Sequence, residues 1–222
     1  MAARKDWAAA IRPLLKKYKG QRHPLEYQDV YQLLVMVVLS ARSSDVHINS
    51  LAPALFRAYP NLHALSQANA KDLFSYLKGV TNFGHKSQWL VDIAKQLKDN
   101  KHIPMNMEGL TGLPGIGRKS ANVILREAGR HPEGIMVDLH TVRVSERLGI
   151  TKEKEPNKIE ESLMKKLPTD EWDAGMAMSF LGREICRPNP LCEICLMKDV
   201  CAYYQKIIKK ENAGKKRVSK NR

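Results

Sequence analysis

Apolar positions recur at spacings of three and four along most of this chain. Over residues 7–18, Trp7, Ala10, Ile11, Leu14, Leu15 and Tyr18 fall on one face, which predicts an amphipathic helix near the amino terminus. Residues 28–41, which include the run YQLLVMVVLSA, are almost continuously apolar and predict a helix buried on all sides. Ser43 and Ser44 can cap a following helix whose apolar positions include Val46, Ile48, Leu51, Leu55 and Phe56. Further helical segments are expected over 67–78, 86–98, 118–128, 138–148, 157–167 and 171–185. No stretch alternates convincingly with a period of two, no pair of runs is joined by a hairpin turn, and no segment repeats. The expected fold class is all-α.

Turn residues break this pattern in two places, at 101–117 (around Pro104, Gly112 and Pro114) and at 129–134, where Pro132 sits between two glycines. The second break is the better candidate for a crossing between domains. The longest apolar run, Leu33–Leu39, is far too short to span a membrane, and the amino terminus lacks the order of a signal peptide. The chain is therefore expected in the cytoplasm.

Charge narrows the choice of partner. With 37 Lys and Arg against 23 Asp and Glu, the 222-residue chain carries +14, which points to a polyanion, with nucleic acid ahead of a membrane surface. Residues 206–222 hold eight basic residues and Glu211, so half of the surplus lies in a segment without spaced apolar positions, expected to be a mobile tail. The remainder is basic in its own right.

Residues 113–117 read Leu-Pro-Gly-Ile-Gly and lead into a helical pattern. Glycines before a helix let backbone N–H groups approach an anion, and the helix dipole favours negative charge there. The plain alternative is a Pro-Gly turn. With the periodic segment upstream and the basic body, the pattern is that of a helix-hairpin-helix, which grips the DNA backbone without reading sequence. Lys119 falls in the first turn of the following helix, where the dipole favours the neutral amine able to form a Schiff base, although most such lysines are surface charges or phosphate contacts. Asp138, nineteen residues on, suits an N-cap. Facing Lys119, its carboxylate could take a proton or stabilise positive charge on a sugar.

All four cysteines lie between 186 and 201, at Cys186, Cys192, Cys195 and Cys201, a clustering that points to metal rather than disulfides. Four thiolates suit zinc or an iron–sulfur cluster, and the single close pair, Cys192 and Cys195, favours a cubane cluster.

In this order, Leu39-Ser40-Ala41, Asp45, the Leu113–Lys119 hairpin, Val123, Val137-Asp138 with His140 and Arg143, and the four cysteines resemble the endonuclease III family of DNA glycosylases. The resemblance covers residues 7–203. It implies a six-helix barrel, here 24–134, beside a cluster domain built from both chain ends, here 1–23 and 135–205, with double-stranded DNA lying across the groove between them. It implies Lys119 as the nucleophile at C1′ of an extruded damaged nucleotide, Asp138 as the assisting carboxylate, and strand cleavage 3′ to the lesion by β-elimination. Its cofactor is a [4Fe–4S] cluster on the four cysteines. DNA contacts are expected at Leu113, Gly115, Ile116, Gly117, Arg118, Arg42, Asn82, His140 and Arg143, in a monomer acting on the nucleoid, with oxidised pyrimidines as the base substrate.

The chain departs from the family pattern at four points. The first cysteine interval is one residue shorter, and one extra residue lies between Lys119 and Asp138. Arg42 stands where the family usually has Gln, and Asn82 where it has an apolar wedge. Arg42 could donate to an orphan guanine or contact a phosphate. Two other readings compete. One is a related glycosylase with another lesion or mismatch preference, with the adenine-specific branch disfavoured because its catalytic Glu would fall near Ala41. The other is a non-catalytic DNA-binding protein held together by its metal cluster, which leaves Lys119 and Asp138 unexplained.

Overall fold

The computed structural model describes residues 5–207. Among the described residues every regular element is helical and there are no strands, in agreement with the all-α expectation. None of these helices is long and apolar enough to cross a membrane. The chain divides into two compact units, residues 22–133 and residues 1–21 with 134–222. Residues 206 and 207 continue a helical turn that begins at 202, and the rest of the expected tail lies outside the described residues.

The unit formed by residues 22–133 is built around its most apolar helix. After α1 (Trp7–Lys17) in the other unit, its helices are α2 (Val30–Ser40), α3 (Asp45–Ala58), α4 (Leu62–Ser66), α5 (Phe83–Leu97), α6 (Met107–Thr111) and α7 (Arg118–Glu127). Helix α2 buries Tyr31 and every residue from Leu33 to Leu39, and α3, α5 and α7 all pack on it. A helix apolar on all faces must be central, because any solvent-facing side would leave large aliphatic surface in water. Ser44 caps α3, accepting from the His47 amide at 3.2 Å.

Two places in this unit depart from the apolar spacing. Val46 is 81% exposed, because the buried stripe of α3 runs Ile48, Ala52, Leu55 and position 46 lies off it. Residues 67–78 form only the 3-10 turn Ala70–Leu73 and further turns. A capping box between Asn69 and Asp72 closes that turn, and Leu73, Leu77 and Val80 are still buried, so the apolar spacing is satisfied without an α-helix. The short helices α4 and α6 fall outside the segments that periodicity predicts.

In the other unit, α1 packs on α10 (Ala174–Glu184), which lies against α8 (Leu139–Leu148); α9 (Pro156–Met164) completes the set. Two glycines seven residues apart on α10 permit the close approach. A Cβ on Gly182 would stand 2.8 Å from the His140 Cβ, and one on Gly175 would stand 2.8 Å from the Met136 amide nitrogen. The segment Ile135–Val137 that leads into α8 is buried throughout.

Candidate active site and cysteine cluster

The glycine-rich segment after α6 is a tight turn held by its own apolar residues. Leu113 and Ile116 are buried, and the Ile116 amide donates to the Leu113 carbonyl at 3.2 Å. Gly115 adopts a left-handed φ of +76°, and a Cβ there would enter the indole of Trp89, 2.9 Å from Cδ2. Only glycine fits both conditions. Gly117 then opens α7 without a side-chain cap, leaving the first amides of a ten-residue helix unclaimed by any capping side chain. Lys119 stands in that first turn and is exposed.

A residue that the sequence pattern does not single out stitches this motif together. The Glu133 carboxylate accepts from the Met107 amide at the start of α6 (2.9 Å), and its own amide donates to Asn122 Oδ1 of α7 (3.2 Å). Its carbonyl accepts from the Arg118 guanidinium at 2.8 Å. Both helices of the hairpin are thus tied to the last residue of their unit.

Arg42 and Asn82 are exposed, and both occupy left-handed backbone, at φ 61° and 57°. Thr81 joins them: its hydroxyl donates to the Arg42 carbonyl at 2.9 Å and its amide to Ser43 Oγ at 3.2 Å.

Asp138 caps α8, as its sequence position allows. Oδ1 accepts from the Thr141 amide at 2.8 Å, with the Thr141 hydroxyl 3.0 Å away. Oδ2 accepts from Ser179 Oγ at 2.7 Å, and the Arg183 guanidinium lies 3.9 Å off. The side chain is only 10% exposed, so the carboxylate is held rigidly between α8 and α10. Ser179 carries the one signal in sequence that could have found this contact. It is a hydroxyl in an otherwise apolar, buried helix, and burial requires a partner for it.

His140 and Arg143 are half-buried in the same unit. Arg143 donates to the carbonyls of Cys186 (2.8 Å) and Gly182 (2.9 Å) and to His140 Nδ1 (3.0 Å). Because Arg can only donate, Nδ1 is an acceptor here. Burial pushes the His140 pKa down, with Arg183 and Arg143 adding to the effect against the nearby Asp138.

The four cysteines carry free thiols and line one cavity, walled by Val144, Leu148, Leu181 and Ile185. Burial pushes the Cys192 and Cys195 thiols up, and the neighbouring cysteines push in the same direction. Arg147 holds the loop: its guanidinium donates to Cys186 Sγ (3.5 Å) and to the carbonyls of Arg187 (2.6 Å) and Pro188 (2.9 Å), and it lies 4.8 Å from the Tyr203 ring. Four soft sulfur donors and an apolar wall are the donor chemistry of a thiolate-ligated centre, although among the described residues no three His, Cys, Asp or Glu are grouped so as to hold a metal ion.

Of the expected site residues, the structure groups Leu113, Gly115, Ile116, Gly117, Arg118 and Lys119 in the hairpin, and Arg42 with Asn82. Asp138, His140, Arg143 and the cysteines belong to the other unit.

Residues 35–169 match the model of the HhH-GPD superfamily base excision DNA repair proteins. The chain is 35% identical to endonuclease III of Synechocystis sp., covering 90% of this chain and 94% of that one. It is 37% identical to endonuclease III of Thermotoga maritima, covering 80% and 85%. Among solved structures it is similar to a trapped endonuclease III–DNA covalent intermediate, with a TM-score of 0.83 and 28% identity, over 94% of this chain and 100% of that one. A thermostable thymine-DNA glycosylase shares the fold, with a TM-score of 0.73 at 20% identity, over 90% and 95%.

Proposed function

Because the chain belongs to the HhH-GPD superfamily of base excision DNA repair proteins, and within it to the endonuclease III family, we propose that Lys119 and Asp138 carry out its glycosylase and lyase chemistry. The enzyme removes a damaged base from double-stranded DNA and cleaves at the abasic site. The observation that carries the residue assignment is the hairpin: a turn that only glycine can make, opening an uncapped helix whose first turn exposes Lys119.

The hairpin amides and the dipole of α7 hold a backbone phosphate, and Arg118 adds charge beside it. The Lys119 amine gives its lone pair to C1′ of the extruded nucleotide, and the base departs with the electrons of the glycosidic bond and takes up a proton. Loss of a proton from the lysine nitrogen and opening of the sugar ring leave a Schiff base. Removal of a C2′ proton then expels the 3′ phosphate, cutting the strand. Asp138, held by Thr141, Ser179 and Arg183, keeps its negative charge in one place, which stabilises the positive charge that develops on the sugar. His140 and Arg143 bond to each other, and Arg143 to the carbonyls of Gly182 and Cys186, which holds α8 against the end of α10; Leu113 and Ile116, both buried, shape the hairpin.

The donor set around the cysteine cavity fits a [4Fe–4S] cluster held by Cys186, Cys192, Cys195 and Cys201. When bound, such a cluster ties four thiolates to one rigid centre and so fixes the loop between them. The base substrate proposed from the family is an oxidised pyrimidine, and the place of action is the cytoplasm, on the nucleoid.

The test is borohydride trapping on duplexes that contain thymine glycol or an abasic site. A covalent adduct on both, absent in Lys119→Ala, is the expected result. An adduct on the abasic site alone keeps the lysine and removes oxidised thymine as substrate. No adduct on either, from protein that holds its cluster and binds DNA, rejects the lysine mechanism.

A further inference from the structure

Among the described residues, Lys86 is a buried cation without an acidic partner. It is 2% exposed, and its ammonium donates to the carbonyls of Leu39 (2.7 Å) and Ala41 (2.5 Å) at the end of α2. Burying an ammonium against main-chain carbonyls alone is costly, so such a group persists where it holds something in place. Its location indicates what it holds. One of these carbonyls, that of Ala41, immediately precedes Arg42, whose backbone is left-handed, and Lys86 itself lies in the first turn of α5, whose N-cap is Asn82, the second left-handed position. Thr81 bonds the two turns directly. Non-glycine residues take this conformation uncommonly, Asn more readily than Arg, and here two of them are joined through Thr81.

Helix α5 also fixes the distance to the hairpin. Trp89, seven residues after Asn82, is the side chain that fills the space under Gly115. At 1.5 Å per residue, about 10 Å of helix separates the Asn82 turn from the hairpin contact. The Asn82 turn and the Gly115 turn are therefore set at two points of one helix, about two turns apart.

We propose that Lys86 is a positioning residue for base reading: by gripping the carbonyls of Leu39 and Ala41 it locks the Arg42 and Asn82 turns into one rigid block beside the hairpin, so that both side chains meet the DNA bases in a fixed register. This rests on the glycosylase and lyase reading above. Burial, and then the neighbouring Arg42, push the Lys86 pKa down, which matches a cation kept for its hydrogen bonds rather than for solvation. Arg42 presents paired donors that match the acceptor edge of guanine better than the edges of the other bases, so the block discriminates by the base opposite the lesion.

The experiment uses the full chain with its cluster and four duplexes, each with an abasic site opposite a different base. Single-turnover trapping rates are compared for the wild type, Lys86→Met and Thr81→Val, with folding followed by thermal melting. Lys86→Met keeps length and burial but removes both hydrogen bonds, and Thr81→Val removes the tie to Arg42 at a less buried position. The expected result is a wild type fastest opposite guanine and a spread of rates that narrows at least about tenfold in Lys86→Met and in the same direction in Thr81→Val, as expected when a reading group is displaced by about 1 Å. A purely structural role would lower all four rates by one common factor and leave the spread intact, which would overturn the proposal. So would a wild type indifferent to the opposite base. If Lys86→Met does not fold, Thr81→Val alone decides by the same ratio. A wild type that forms no adduct on any duplex rejects the glycosylase and lyase reading itself, and this proposal with it.

Discussion

Single residues in this molecule are chosen by what stands within 3 Å of them. Gly115 combines a left-handed φ with contact against the Trp89 ring, so Gly115→Ala meets both backbone strain and overpacking. The expected cost is about 1–3 kcal/mol, together with weaker binding to undamaged duplex, measured by thermal melting and a DNA titration. A melting point and affinity equal to the wild type would mean that the turn relaxes freely and that its shape does not set the phosphate contact. Asp138 separates two roles that the sequence leaves entangled. Asn can still accept at an N-cap but carries no charge, so Asp138→Asn should change stability by less than about 1 kcal/mol. Turnover should nevertheless fall by about 100-fold or more, seen in single-turnover kinetics beside a melting curve. Equal losses in both would reduce Asp138 to a cap.

At the level of elements, α8 does the most. Asp138 is its N-cap, His140 stands in its first turn and Arg143 in the next, and its last turn places Arg147 on the cysteine loop. The neutral His140 ring accepts from Arg143, and protonation would break that bond. With its folded pKa below the ordinary 6.5, His140 contributes stability that is present above 6.5 and lost as pH falls through the folded value, because the unfolded chain takes up the proton first. Melting temperatures should therefore drop between pH 7 and pH 5, and His140→Gln should flatten that drop; identical profiles would remove His140 as the cause. Helix ends follow sequence chemistry closely, with Asp6, Asp29, Ser44, Asn61, Asn106 and Asp138 all capping through their side chains. Short elements do not. Helix α6 has five residues, less than two turns, and so shows no periodicity to read, although it is half of the helix-hairpin-helix.

For the whole molecule, the charge surplus predicts a steep salt dependence of DNA binding. Residues 208–222, outside the described part, hold seven of the basic residues. Removing them should make the slope of log affinity on log salt shallower by about one unit for each phosphate that those residues neutralise. An unchanged slope would place all phosphate-binding groups in the remaining chain.

The sequence by itself determined the helical class, the central place of α2, most helix ends, the glycine hairpin, the clustering of the four cysteines and the family they share. Each of these depends on residues close together in the chain, where spacing and side-chain type act directly on backbone conformation. Only the tertiary structure decided that Ser179 and Arg183 hold Asp138, that Arg143 is committed to the carbonyls of Cys186 and Gly182, that Glu133 ties both hairpin helices, and that Lys86 grips the end of α2. Most of these contacts join positions about 40 or more residues apart. They form because a buried donor or acceptor must find a partner wherever packing brings one, and helical periodicity says which face is buried but not which polar group waits there.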